Sequence, residues 1–86
     1  MTDWTIHPGA TLRDWREENG LSARGMATIC GRMPVEMYER IEAGKRKITK
    51  VIADALAHGT GIPASFWLNY ERRFRADLKA GRKWTP

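Results

Sequence analysis

The apolar positions of this chain recur at helical spacing and nowhere sustain the alternation of a strand. Leu12 and Trp15 lie about one turn apart among Arg13, Asp14, Arg16, Glu17 and Glu18, the pattern of a helix with one buried face. Pro8 suits its start and Asn19-Gly20 its end, which predicts a first helix over residues 9–19. After Ser22, a good capping residue, Met26, Ala27 and Cys30 share one face until Gly31, giving a second helix over 23–30. Gly25 in its interior costs about 1 kcal/mol relative to alanine. Pro34 opens a third helix over 34–43, along which Val35, Tyr38 and Ile41 repeat at three-residue intervals before Gly44.

A fourth helix follows Thr49 as its cap, with Val51, Ile52, Ala55 and Leu56 as an apolar stripe and His58-Gly59 as its end. The fifth, over 63–80, carries Phe66, Trp67, Tyr70, Phe74 and Leu78 at mostly four-residue spacing; at 1.5 Å per residue it spans roughly 25 Å. Phe66, Trp67 and Tyr70 suit a core. Phe74 and Leu78 lie beyond the reach of a compact four-helix core and are assigned to contact with a second copy of the chain. Residues 1–7 form an extended lead-in whose Trp4 or Ile6 packs on the core, and residues 82–86 a frayed end on which Trp84 can dock. The expected fold class is all-α with five helices. A length of 86 residues fits one domain over 1–86.

Composition narrows the setting. The chain is 42% hydrophobic and 29% charged, with no apolar run long enough to span a bilayer, and no signal peptide is expected. Its single cysteine, Cys30, cannot form an internal disulfide, which fits a reducing cytoplasm. A net charge of +5 favours a polyanionic partner, nucleic acid ahead of an anionic membrane surface. The cations are clustered: Arg32, Arg40, Lys45, Arg46, Lys47 and Lys50 stand against Glu36, Glu39 and Glu42, and the stretch from Glu71 to Lys83 is cationic again.

The second and third helices, joined by a turn containing Gly31, together read as a helix-turn-helix over about 22–44, a unit whose second helix enters the DNA major groove. Lys45, Arg46 and Lys47 then fall where phosphates would pass, helped by Lys50 and by backbone N–H groups near Ser22 and Ala23; the alternative is a solvated basic loop. Arg32 suits phosphate or guanine, or is a plain surface arginine. The outward face of the third helix offers Val35, Glu36, Met37, Glu39 and Arg40. Val35 and Met37 fit a thymine methyl, although one of them belongs to the core. Glu36 can accept from cytosine N4 or serve as a surface or capping carboxylate, and Arg40 either contacts DNA or pairs with Glu36 one turn earlier.

Other chemistry is not expected. Cys30, His7 and His58 match no metal-ligand spacing; Cys30 shares the apolar face of Met26 and Ala27, and both histidines sit at helix termini. No Ser-His-Asp order, glycine-rich phosphate loop or isolated carboxylate pair occurs. Neither a cofactor, a metal nor an enzymatic activity is expected.

Leu21, Ser22, Met26, Ala27, Gly31, Ile41, Glu42, Gly44 and Lys45 resemble the XRE-type repressor pattern, L-S-x-x-x-[LM]-A, a glycine turn and I-E-x-G-K. His7-Pro8-Gly9 with Leu12, Ile48-Thr49, and Phe66-Trp67-Leu68-Asn69 further resemble the HigA-type antitoxin branch, with HPG-x-x-L at its start and P-x-x-FWLN near its end. The similarity runs from His7 to about Phe74. It implies a five-helix, lambda-repressor-like domain with a long C-terminal helix, a homodimer on a palindromic operator in double-stranded DNA, and repression of a promoter. In antitoxin members it implies a neighbouring toxin protein that is bound and silenced. Two departures stand out. One extra residue, Arg32 or Met33, lengthens the turn, and the third helix lacks the usual Arg, Gln, Ser and Thr base readers. A stand-alone, Cro-like phage or prophage repressor is one alternative, and the basic charge favours it, since many toxins are themselves basic. A protein-interaction module with a degenerate DNA face is the other.

Overall fold

The structure, a computed structural model, describes residues 3–84. Five helices follow one another: α1 (Pro8–Glu18), α2 (Ala23–Ile29), α3 (Val35–Glu42), α4 (Lys50–Thr60) and α5 (Ala64–Lys79). The Ser22 hydroxyl accepts from the Gly25 N–H at 3.0 Å and that of Thr49 from the Ile52 N–H at 3.4 Å, so the capping residues do in space what their chemistry dictates. Four of the helices agree with the sequence pattern to within a residue or so at each end. The exception is α4, which runs through Gly59 and stops at Gly61, in the left-handed conformation at φ 75°. Gly59 serves close approach instead, because a Cβ there would lie 2.5 Å from the Cys30 sulfur. The stripe on α4 is also corrected: Ala53 is buried beside Ile52 and Leu56, whereas Val51 is 77% exposed.

One core is shared by all five helices, with Leu12, Met26, Tyr38, Ile41, Leu56 and Trp67 almost fully excluded from solvent. α3 rests on α1 and α2, while α5 lies along α4 and touches α1. The start of α1 sits on the end of α3 so closely that a Cβ on Gly9 would overlap the Ile41 and Glu42 carbonyl oxygens. Amide-rich helix start meets carbonyl-rich helix end there, an electrostatically favourable junction.

The terminal segments depart most from expectation. Trp4 and Ile6 are 55% and 65% exposed, and among the described residues of the lead-in it is His7 that is buried. Thr5 N–H donates to the Lys83 carbonyl and Lys83 N–H to that of Asp3, both at 2.8 Å, forming a parallel bridge beside α5. Asp77 holds both segments, accepting from the Thr5 hydroxyl at 2.8 Å and from Arg82 at 2.6 Å. Trp84 then turns back, edge-on to His7 and Phe74 with ring centres 5.2 and 5.5 Å apart. The expectation that Phe74 meets a second copy is thereby corrected: it is 1% exposed, because the chain's own ends extend the core over the far half of α5. Leu78 is only half-buried. Phe66 is likewise corrected, 39% exposed next to the wholly buried Trp67.

Candidate nucleic-acid interface

Between α2 and α3 the chain reverses through two successive left-handed residues, Gly31 at φ 76° and Arg32 at φ 57°. The second is non-glycine, a conformation costing about 1 kcal/mol, and this pair carries the chain out of α2 toward α3. The Arg32 N–H still donates to the Thr28 carbonyl and that of Met33 to Ala27, at 3.0 and 2.9 Å. The Met33 side chain drops into the core and leaves Arg32 in solvent. α3 then presents Glu36, Glu39 and Arg40 fully and Val35 and Met37 in part, while Tyr38, Ile41 and Glu42 face inward. Neither Val35 nor Met37 is a core residue proper, though Met37 packs against the core's edge.

Glu42 ties the end of α3 to α1. Its carboxylate accepts from Arg16 at 2.9 Å twice and from Arg13 at 3.2 Å. A third group of Arg16 donates to the Leu21 carbonyl at 2.9 Å, so one side chain ties α1 to the end of α3 and to the approach to α2. Burial, the largest single influence, works against the charge on Glu42, but Arg16 foremost, with Tyr38 and Arg13, together outweigh it and hold the carboxyl below its ordinary range. Burial first, then the nearby Glu42 carboxylate, push the Tyr38 phenol far above its usual value.

The basic loop after α3 is held at both ends. Gly44 has φ 76°, and a Cβ there would lie 2.5 Å from the Trp84 ring and 2.9 Å from His7 Nδ1. Four residues on, Ile48 is buried and its N–H donates to the Glu71 carboxylate of α5 at 3.0 Å. Lys45, Arg46 and Lys47 stand exposed between these anchors. Their backbone is therefore placed although their side chains are free to move. Lys50, at the start of α4, is exposed and shares its charge with Asp54 at 3.3 Å, a surface pair of small energetic weight. Ser22 is exposed and Ala23 half-buried at the start of α2, close to where the sequence placed them.

Two neighbours escaped the sequence reading. Arg24 and Thr28 are exposed and line the same open groove as Arg32, Val35 and Glu36. Their signal was present in the chain: a four-residue spacing on α2 opposite Met26 and Ala27. The alternative pairing of Arg40 with Glu36 is not made; the ion pairs among the described residues fall at Glu42, Asp54, Glu71 and Asp77. Cys30 is core, its thiol pushed up to about 11 by burial. His7 is buried, with a pKa lowered by burial and by Arg13, and His58 is exposed in the last turn of α4.

Residues 9–76 match the family model of a helix-turn-helix domain. The chain belongs to the helix-turn-helix domain family. The matched span of this helix-turn-helix domain holds α1 from its second residue, α2 to α4, the basic loop and most of α5, whereas His7, Pro8, Leu78 and Trp84 fall outside it. No curated protein matches the chain.

Proposed function

We propose that this helix-turn-helix protein is a DNA-binding transcriptional regulator that lays α3 in the major groove while Lys45, Arg46 and Lys47 grip the flanking phosphates. The observation that carries the reading is the anchored basic loop directly after an exposed α3 face. Three cations held on a placed backbone suit a regular row of phosphates better than cations on a free tail. Within this role, the resemblance to the HigA-type branch supports a repressor that acts as one domain, binds a palindromic operator as a dimer and silences a toxin protein. A small basic ribonuclease-like protein encoded immediately beside it would support the toxin partner; a phage operon would favour the stand-alone repressor. Glu36 and Glu39, exposed and in no ion pair among the described residues, favour a second reading as an interaction module whose α3 meets protein.

Mobility-shift titration against the protein's own promoter at two salt concentrations separates the two readings. For the regulator, retention persists at the higher salt, and replacing Lys45 and Arg46 by alanine lowers the salt slope by about two units, near one per lost phosphate contact. An unchanged slope removes these residues from the interface, and absence of specific retention leaves the interaction module.

A further inference from the structure

We infer that the groove between α2 and α3 reads guanine and cytosine, so that each operator half-site is built around G·C pairs. The inference rests on the DNA-binding reading above and names the duplex that this surface selects.

Arg24, Arg32 and Glu36 line the groove together and all three are exposed. None is spent on another, since the ion pairs of the described residues lie at other carboxylates. A guanidinium donating two parallel N–H groups matches the N7 and O6 acceptors of guanine, and a carboxylate matches the N4 donor of cytosine. Arginine and glutamate side by side thus fit the two edges that a G·C pair presents in the major groove. An A·T pair offers this surface less. Adenine N6 can donate to a carboxylate, but the N7 lone pair beside it repels the same oxygens, and cytosine carries no such acceptor. The residues that pair adenine bidentately are asparagine and glutamine, and residues 23–42 contain neither. Thr28, the hydroxyl in the groove, already donates to the Arg24 carbonyl at 2.9 Å. What remains for A·T is the half-buried Val35 against a thymine methyl.

The test is selection of bound duplexes from a random pool with the full chain, followed by titration of the enriched duplex with guanines replaced by 7-deazaguanine, which lacks the N7 acceptor. Consecutive G·C pairs are expected in each half, and each contacted guanine so replaced should weaken binding about tenfold. The Glu36→Gln variant should melt as the parent does and shift one selected position from cytosine to adenine. Enrichment of A·T half-sites, or indifference to 7-deazaguanine, overturns the G·C assignment and leaves DNA binding standing. If no duplex is retained at all, the regulator reading falls and this inference with it.

Discussion

Arg16 does more at the residue scale than its place on a charged helix face promised. In the sequence it is one of five charged positions around Leu12 and Trp15, and nothing in helical spacing separates it from Arg13 or Glu17. In the structure its side chain is 17% exposed and bonded to a 9% exposed carboxylate. Arg16→Ala should therefore cost about 3 kcal/mol in urea unfolding at neutral pH, because it strips the main partner from a buried charge. The pH dependence follows from the lowered pKa of Glu42. The unfolded chain takes up the proton first, so the stabilisation is complete above the ordinary carboxyl value of 4.5 and is lost as pH falls through the lower folded value. The stability gap between parent and Glu42→Gln should shrink in that acid window, and a gap constant down to pH about 2 would remove Glu42 from this role. Arg24 was legible in principle from its four-residue spacing to Thr28, but it fills an unspecified position of the L-S-x-x-x-[LM]-A pattern, which therefore says nothing of it. Tyr38 and Cys30, by contrast, were placed correctly by periodicity, since burial is what periodicity reports.

Among elements, the helices themselves were legible because caps, prolines and apolar spacing all agree. Contacts between elements were not. Gly59 and Gly44 both read as stops, yet only Gly44 ends a helix, and it also makes room for Trp84 forty residues away in the chain. No local pattern could distinguish the two. Gly44→Ala places a methyl group against the Trp84 ring and forces a positive φ on alanine, so it should destabilise by about 2 kcal/mol and weaken DNA binding through the displaced basic loop. Trp84→Ala should destabilise by a similar amount, about 2 kcal/mol, through lost packing. In a double-mutant cycle the pair should fall short of additivity by about 1 kcal/mol, since the clash needs both partners. Additive costs would show that the strain at Gly44 lies in its backbone alone.

For the whole molecule, the order of five helices and the surface carrying the cations were open to sequence reasoning, while the closure of the two termini over α5 was not. A two-residue bridge between segments nearly eighty residues apart has no periodic signature, and missing it misplaced Phe74. A dimer of the kind proposed would have to use what remains outside. Ile6 lies in a shallow groove with Tyr70, and Phe66 is edge-on to Tyr70 with ring centres 6.0 Å apart. If the operator-bound form is a dimer through this edge and Leu78, then Ile6→Glu should sediment as a monomer and lose operator affinity by at least tenfold, because avidity from the second half-site disappears. A dimer that survives the substitution places the interface elsewhere.

The pairing of Thr5 with Lys83 has a consequence for how the polypeptide can be rewired. A linker from residue 3 to residue 84 has little distance to cross, so the backbone can be closed into a ring and reopened at an exposed bend such as Gly61 without parting the recognition surface. Such a permuted protein should fold and bind the same duplex. Segments joined at residue 3 and at residue 84 would emerge from one shared corner of the molecule.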